Sequence, residues 1–456
     1  MEDVSRILEE LERLEKLDID PHSGRLFAYF YETGDETLRK VALETLVRFY
    51  SKNILDFTVF RSAIYFEREL VSFCKRLMHS EEGSAGVFTY GGTESIMLAV
   101  KSARDHFRKT KGFSRTPEMV VPFTIHPSFL KAASYLGLKV RMAGIDANLK
   151  ADVDEINTLV TQDTALIALS APNWPYGTVD PVKDVAEIAQ DTGTLLHIDA
   201  CLGGFILPFF ERIGEKVEPY DFRIEGVTSI SMDAHKYGYA LKGASILLFR
   251  DRELKKHAMF VNTSNPGYVF VNTAVLSSRS VGPLASAYAV MRYLGEEGYE
   301  RLAKKVLSAR NRIERGLKDL GFESVGPVES QVLSMHNSDV DLLGFMSAMR
   351  RRGWHFHLQR GVAEYSIPPN IHLTISPIHD SVAEEFISDA QSAVQEKSLV
   401  NVEELFERIS RGELAEILQE FESGKLDSSV AAILLGQLSD DVAEEIVKEM
   451  VVRWYD

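Results

Sequence analysis

Residues 165–199 of the chain read ALIALSAPNWPYGTVDPVKDVAEIAQDTGTLLHID. The runs ALIALSA (165–171) and LLHID (195–199) are short and apolar, which predicts two buried strands. Between them, residues 181–192 have the spacing of an amphipathic helix. A strand, a helix and a second strand in this order predict two parallel neighbouring strands with the helix packed on one face of the sheet.

The same alternation extends from about residue 84 to residue 250. Apolar runs predict four further strands, at 119–123, 138–144, 226–232 and 244–249. Amphipathic stretches between them predict helices at 93–108, 127–136 and 152–161. The predicted class is therefore α/β, with helices on both faces of a parallel sheet. Polar residues that directly follow such strands are expected to line a ligand crevice.

Four units are predicted along the chain. An N-terminal helical segment covers residues 1–80, and the large domain covers 81–285. A smaller α+β domain covers 286–398, entered through a long helix at about 282–319. The rest, 399–456, is an acidic helical extension, with 14 acidic and 5 basic residues from 401 onward. Its apolar spacing predicts two or three short helices.

Composition excludes several classes of protein. The chain has 456 residues, a net charge of −16 and 45% hydrophobic residues, so it is not a disordered chain, and its acidity argues against nucleic-acid binding. It lacks the run of roughly 18 apolar residues of a membrane span, as well as a signal peptide. Two cysteines favour a reducing compartment, and the 12 histidines show no metal-ligand spacing. We expect a soluble cytoplasmic protein with no transmembrane segment and no metal.

The sharpest motif is SMDAHKYG, residues 231–238, directly after a predicted strand. Lys236 there is either an ordinary surface lysine or an amine that forms a Schiff base with a carbonyl cofactor. The second role needs surroundings that disfavour the ammonium form.

The second motif is His197-Ile198-Asp199-Ala200-Cys201, at another predicted strand end. A buried Asp199 carboxylate needs a cationic partner, and a protonated pyridine nitrogen is one such partner. The alternative is that Asp199 caps the N-terminus of the following helix.

Two further strand ends carry candidate residues. Gly92 and Thr93 open a predicted helix, where backbone N–H groups and hydroxyls can hold a phosphate, although Thr93 could simply be an N-cap. His126 follows the strand at 119–123 and could stack on an aromatic cofactor or be an ordinary loop histidine. Taken together, an anion cradle, a stacking ring, an acidic partner and a lysine at successive strand ends predict a pyridoxal-phosphate site.

The sequence resembles the sphingosine-1-phosphate lyase family, within the group II pyridoxal-phosphate decarboxylases of fold type I. The resemblance covers about residues 20–396 and rests on the motifs GGTES (91–95), HIDACLGGF (197–205), DAHKYGYALKG (233–243), APNWPYG (171–177), DFRIEGVTSIS (221–231), Ser277-Ser278-Arg279 and Gly353-Trp354-His355-Phe356. It implies a large domain with a mainly parallel seven-stranded sheet and a smaller α+β C-terminal domain.

The resemblance also implies roles for the cofactor residues. Lys236 would bind pyridoxal 5'-phosphate covalently, Asp199 would pair with the pyridinium nitrogen, and His126 would stack on the ring. The residues implied near the cofactor phosphate are Gly92, Thr93 and His235. The family is a homodimer with shared active sites, and Ser278 would reach the partner's cofactor phosphate.

On the substrate side, Lys242 matches a lysine that contacts the substrate phosphate in the family, and Asn53 matches a second substrate position. The implied reaction is retro-aldol cleavage of a phosphorylated long-chain base, a lipid-like amine, to a fatty aldehyde and phosphoethanolamine. Phe27 and Asp56 are also expected on the substrate side, and the chain departs from the family pattern there: Phe27 stands where a Tyr is usual, Ala28 where a His is usual, and Asp56 where a further His is usual. The lost hydroxyl at position 27 and the carboxylate at position 56 both disfavour a bound phosphate.

These departures leave alternatives open. A group II decarboxylase that releases CO₂ from a non-phosphorylated amino acid is one of them. Arg25 and Arg61 could restore positive charge for a phosphate. A scaffold without turnover is a further alternative, against which the intact set of four cofactor residues argues.

Overall fold

A seven-stranded sheet forms the centre of the computed structural model, which describes residues 4–56, 58–398, 401–411, 413–422, 426, 430, 434, 435, 438 and 440–455. Its strands are β1 (Ala85–Thr89), β2 (Glu118–Pro122), β3 (Lys139–Ala143), β4 (Thr164–Ser170), β5 (Leu195–Asp199), β6 (Val227–Met232) and β7 (Ser245–Phe249), in the order β1-β7-β6-β5-β4-β2-β3. The predicted α/β class and the seven-stranded sheet are confirmed. Strand β1 was not among the predicted apolar runs.

Strand β7 runs antiparallel to both of its neighbours, whereas the pairs among β2 to β6 are parallel. The connection from β6 to β7 contains no helix, and a parallel pairing needs a crossover that usually carries one. The chain therefore returns antiparallel. Strand β1 consequently points the same way as β6, so the carboxyl ends of β1, β2, β5 and β6 lie at one edge of the sheet.

Helices cover both faces of this sheet. They are α4 (Gly92–Lys111), α5 (Ser128–Leu136), α6 (Val153–Leu159), α7 (Val182–Thr192), α8 (Leu207–Arg212) and α9 (Arg252–Ala258). In β4, Leu166 and Ala168 belong to one apolar cluster, while Ile167 and Leu169 belong to the cluster on the other face. This period of two explains why the strand reads as a continuous apolar run.

Three helices precede the sheet: α1 (Val4–Glu15), α2 (Glu36–Phe49) and α3 (Ser62–Leu77). Asp35 caps the N-terminus of α2, since its side chain accepts a hydrogen bond from the backbone N–H of Leu38. Helix α1 has no buried residue, so its leucines face solvent in the isolated chain.

The second half begins with a small hairpin, β8 (Phe260–Asn262) and β9 (Phe270–Asn272), followed by the long helix α10 (Gly282–Asp319). A four-stranded antiparallel sheet follows, made of β10 (Glu323–Ser324), β11 (Val332–His336), β12 (His357–Gln359) and β13 (Asn370–Thr374), with helices α11 (Leu342–Arg351) and α12 (His379–Ala393). The described part of the tail holds α13 (Val402–Ser410), α14 (Leu414–Glu422) and α15 (Asp440–Tyr455). Among the described residues, none of the helices has both the length and the apolar composition that crossing a bilayer requires.

Candidate active site

Lys236 lies in the turn that follows β6, and its Nζ is 3.1 Å from the buried Asp233 Oδ2. Burial lowers the pKa of Lys236, but the Asp233 carboxylate and neighbouring ionisable groups outweigh that effect, so the pKa is raised overall. The protein's own groups therefore do not meet the condition that the ammonium form be disfavoured, because a carboxylate three residues earlier pairs with the amine. The alternative of an ordinary surface lysine is also excluded, because the side chain is only 22% exposed.

Asp199 ends β5 and is buried. Its Oδ1 accepts hydrogen bonds from the Cys201 backbone N–H at 3.0 Å and from the Ser231 hydroxyl at 3.4 Å. The next helix, α8, begins only at Leu207 and has Ile206 at its N-cap, so Asp199 is not a helix cap. These two bonds hold the carboxylate in place beside the lysine turn.

His126 follows β2 and presents its ring at the edge of the sheet. The Ser128 backbone N–H donates to His126 Nδ1 at 3.2 Å, so a neutral His126 carries its proton on Nε2. Desolvation by the surrounding walls lowers the pKa of His126, and this favours the neutral ring.

Gly92 is the first residue of α4, with Gly91 at the N-cap. A Cβ on Gly92 would lie 2.8 Å from both Asp233 Oδ2 and Cys201 Sγ, so only glycine fits there without a shift of these groups. Thr93 is not the N-cap, and its Oγ1 is 2.8 Å from Ser128 Oγ. Its hydroxyl is thus held at the helix start, beside the first N–H groups.

His235 lies beside Asp233, and a backbone carbonyl holds its ring. Its Nδ1 donates to the Ala244 carbonyl at 2.7 Å, which leaves Nε2 3.7 Å from Asp233 Oδ2. Burial lowers the pKa of His235.

Two adjoining cavities meet at these residues, and both are lined by His126, Asp199, Cys201 and Lys236. The first, here named the glycine cavity, has a volume of about 500 Å³ and is also lined by Gly91, Gly92, Thr93 and His235. The second, here named the aromatic cavity, has a volume of about 750 Å³ and is also lined by Tyr29, Tyr31, Trp174, Tyr176, Lys242 and His357. The four shared residues, here named the junction, therefore lie between the polar start of α4 and the aromatic cavity.

The residues present fit pyridoxal 5'-phosphate. The glycine cavity offers helix N–H groups, a hydroxyl and an imidazole, which together suit a phosphate. Asp199 and His126 flank the junction where the ring would lie, and Lys236 is within the same junction. Asp233 Oδ1 is buried without a hydrogen-bond partner, which marks the junction as a site built for more than the protein's own contacts.

Lys242 lies in the aromatic cavity, as expected for a substrate-side lysine. Its Nζ donates to the Tyr29 carbonyl and lies 5.2 Å from the centre of the Tyr31 ring. Burial, and then the charge of Lys236, lower the pKa of Lys242 to about 8.

The structure keeps Asn53, Asp56 and Ser278 apart from Lys236 within this chain, since none of them lines either cavity. Asn53 Nδ2 donates to Ser278 Oγ at 3.3 Å. Asp56 Oδ1 accepts from the hydroxyl and the backbone N–H of Thr58, and these bonds lower the pKa of Asp56.

Phe27 lies in the core and not in the cavity. Its side chain is fully buried and stacks on His379, with ring centres 4.0 Å apart. The expectation that Phe27 contacts the substrate is therefore corrected, because an apolar ring at this position is taken up by packing. Arg25 does not supply cavity charge either, because it pairs with Glu385 on α12 and lies over the Trp354 ring.

Sequence reasoning missed three members of the site. Asp233 was visible as a carboxylate three residues before Lys236, but the predicted strand end gave no sign that the two would pair. Tyr31 and Trp174 line the aromatic cavity, and no local signal distinguishes them from core or loop aromatics.

Comparisons with known proteins agree with this geometry. The model of the pyridoxal-dependent decarboxylase conserved domain matches residues 2–331. A sphingosine-1-phosphate lyase of Arabidopsis thaliana is 35% identical over 398 residues, which is 85% of this chain and 72% of that protein. A probable L-tyrosine/L-aspartate decarboxylase of Methanothermobacter thermautotrophicus is 30% identical over 355 residues, covering 78% of this chain and 93% of that protein.

A solved structure is also similar. The sphingosine-1-phosphate lyase of Burkholderia pseudomallei superposes with a TM-score of 0.82 at 31% identity, covering 92% of this chain and 95% of that chain. The resemblance recognised in the motifs is thus confirmed. The chain belongs to the pyridoxal-dependent decarboxylase family, in its sphingosine-1-phosphate lyase group, and is an enzyme whose cofactor is pyridoxal 5'-phosphate.

Proposed function

We propose that this enzyme cleaves the Cα–Cβ bond of a phosphorylated long-chain base such as sphingosine 1-phosphate, releasing a fatty aldehyde and phosphoethanolamine. The observation that carries the proposal is the position of Lys236 between the glycine cavity and the larger aromatic cavity, which contains a second lysine, Lys242. The lyases of Arabidopsis thaliana and Burkholderia pseudomallei support the same reaction class.

The proposed cofactor contacts follow from this arrangement. Lys236 Nζ would bind the cofactor covalently, and Gly92, Thr93 and His235 in the glycine cavity would hold its phosphate. Asp199, fixed by two hydrogen bonds, would pair with the ring nitrogen, and His126 would stack on the ring.

Bound pyridoxal 5'-phosphate supplies an electron sink that accepts the pair released when the Cα–Cβ bond breaks. The protein residues orient the substrate and control its protons. Cleavage takes one proton from the substrate's 3-hydroxyl and returns one to Cα. Asp233 stabilises the ammonium form of Lys236, which would make this side chain a proton donor for Cα. Lys242 is the proposed contact to the substrate phosphate.

We infer further that the active enzyme is a homodimer in which Ser278 reaches the partner's cofactor phosphate. Two apolar surfaces support this inference. One is the face of α1, where Ile7, Leu8 and Leu11 are exposed, and the other is the segment 260–276 beside the glycine cavity. Asn53 is hydrogen-bonded to Ser278 and would lie near the partner's site together with it. Asp56 lies on the same segment as Asn53.

We also propose that the chain is divided into the four units 1–80, 81–285, 286–398 and 399–456, and that the protein is cytoplasmic. The boundary at 285/286 lies within α10, which joins the large and small sheets. Cys74 and Cys201 are both buried and free, in keeping with a reducing compartment.

A decarboxylase acting on a non-phosphorylated amino acid is the second candidate function. Asp56, which carries a negative charge at a position where a histidine is usual, favours it. The relative in Methanothermobacter thermautotrophicus, named a probable decarboxylase, belongs to that class.

The deciding experiment incubates purified holoenzyme with sphingosine 1-phosphate and, separately, with tyrosine, aspartate and glutamate. We expect a fatty aldehyde from the first and no CO₂ from the others, with Lys236→Ala inactive in both assays. CO₂ release without aldehyde would overturn the proposed lyase reaction in favour of the second candidate.

A further inference from the structure

The aromatic cavity contains two cations that have no carboxylate partner. Lys242 and Arg360 both line it, and neither forms an ion pair within the described part of the chain. Asp199 is the one carboxylate among the described residues that line this cavity, and in the proposed function it faces the cofactor ring. The substrate side of the cavity is therefore positively charged in a chain whose net charge is −16.

Both cations are exposed at the cavity wall, so an anion that enters the cavity can reach them. Neither is offset there by a carboxylate of the described residues, and the unbalanced positive charge attracts an anionic ligand. Partial desolvation of the amine and the charge of Lys236 lower the pKa of Lys242 to about 8, and an anionic group on the substrate would stabilise its charged form.

His357, on β12, lines the cavity together with the two cations. Tyr29 adopts a left-handed backbone conformation, with φ of 63°, and its carbonyl accepts a hydrogen bond from Lys242. The ring of the same residue meets the His357 ring edge-on, with centres 5.0 Å apart. His357 Nε2 and Gln359 Oε1 are buried without hydrogen-bond partners, and both residues line the cavity beside Arg360.

We propose that Arg360 and His357 complete, with Lys242, a subsite for the phosphate monoester of the substrate. The inference rests on the proposed function and names which residues recognise the anionic group. A guanidinium binds phosphate oxygens in pairs, and the imidazole supplies a further donor. Phe27 is buried in the core, and the Asp56 carboxylate accepts hydrogen bonds within its own turn. Neither residue lines the aromatic cavity, so the phosphate would be bound by the subsite residues instead.

The test compares two probes that differ only in the phosphate. Holoenzyme is titrated with phosphoethanolamine and with ethanolamine, and binding is followed by the change in cofactor absorbance. We expect the wild-type enzyme to bind phosphoethanolamine more tightly, and Arg360→Gln to lose about tenfold of that preference while its affinity for ethanolamine stays the same. Arg360→Lys should recover part of the preference, because it keeps the charge but not the fork.

Arg315→Gln, at an exposed arginine on α10, is the matched control and should leave both affinities unchanged. If Arg360→Gln does not fold, Arg360→Lys and His357→Leu carry the test. An unchanged preference for phosphoethanolamine in the folded Arg360 and His357 variants would overturn the subsite.

Failure of the subsite is distinguishable from failure of the proposed function. Aldehyde release with an unchanged preference in the variants leaves the lyase reaction standing and removes the subsite. Loss of preference in the variants, without aldehyde release by the wild-type enzyme, keeps the subsite and overturns the reaction.

Discussion

The ion pair between Lys236 and Asp233 is the central interaction at the residue scale. Its 3.1 Å separation lies in a junction that also contains the Asp199 carboxylate and the Cys201 thiol. Burial raises the pKa of Cys201 well above its usual value, so this thiol is neutral and does not compete with the lysine as a nucleophile. Lys236 is the one lysine among the described residues that lines both cavities, and an amine is the group that forms an imine with a carbonyl cofactor.

Lys236→Ala should abolish covalent attachment of the cofactor and lower activity by on the order of a thousandfold or more, because the nucleophilic amine is lost. The measurement is borohydride reduction followed by peptide mass spectrometry. Lys242→Ala, in the same cavity, is the control and should still be labelled at Lys236. Label on another lysine in Lys236→Ala would refute the assignment.

The pH dependence of activity should reflect Lys242. Its pKa is lowered to about 8, so its charge is present below that pH and is lost as the pH rises through it. We therefore expect kcat/KM for a phosphorylated substrate to fall above about pH 8. In Lys242→Arg that fall should disappear, because a guanidinium stays charged. An identical profile in the variant would rule Lys242 out as the titrating group.

At the scale of elements, α10 links the two sheets and changes direction at Gly295. This residue has φ of 57° and ψ of −177°, outside the helical range. The interruption lets one continuous segment pack against α2 at one end and α12 at the other. The sequence pattern does not predict this interruption, because an isolated glycine within a helical pattern is compatible with an unbroken helix.

Gly295→Ala should lower the free energy of unfolding by about 1–3 kcal/mol, because this combination of φ and ψ is adopted essentially by glycine alone. A Cβ at this position meets no atom within 4 Å, so the cost comes from backbone conformation alone. Urea denaturation measures it, with the exposed Glu297→Ala on the same helix as a control that should change little. An unchanged midpoint in Gly295→Ala would show that the helix straightens at no cost.

At the scale of the whole molecule, α1 presents one of the exposed apolar surfaces. Val4, Ile7, Leu8, Leu11 and Leu14 are all at least 41% exposed on this one helix. A helix with an apolar face and no buried residue gains little from folding on its own. Packing against a second copy of the chain would give α1 the burial that it lacks here.

The pair of changes Leu8→Glu and Leu11→Glu should weaken the proposed dimer by about ten-thousandfold, since it removes two leucines from each of the two protomers and each buried leucine contributes about 1.5 kcal/mol or more. Light scattering across a dilution series measures the dissociation. Glu9→Gln, on the same helix, should leave the dimer intact. A dimer of unchanged stability in the double variant would exclude α1 from the interface.

The sequence by itself determined the alternation of strands and helices and the four strand-end residues Gly92, His126, Asp199 and Lys236. These features are local: burial makes a strand continuously apolar, and the residue after a strand in a parallel sheet emerges at the common edge. That they lie together at one edge of the sheet could therefore be predicted before any coordinates.

Only the tertiary structure decided what surrounds that junction. The aromatic cavity is assembled from residues 29–31, 174–176 and 357–360, which are far apart in the chain and belong to different layers. The same three-dimensional packing placed Phe27 in the core and paired Asp233 with Lys236. Contacts between distant segments depend on how the two sheets close on each other, and no local pattern encodes that distance.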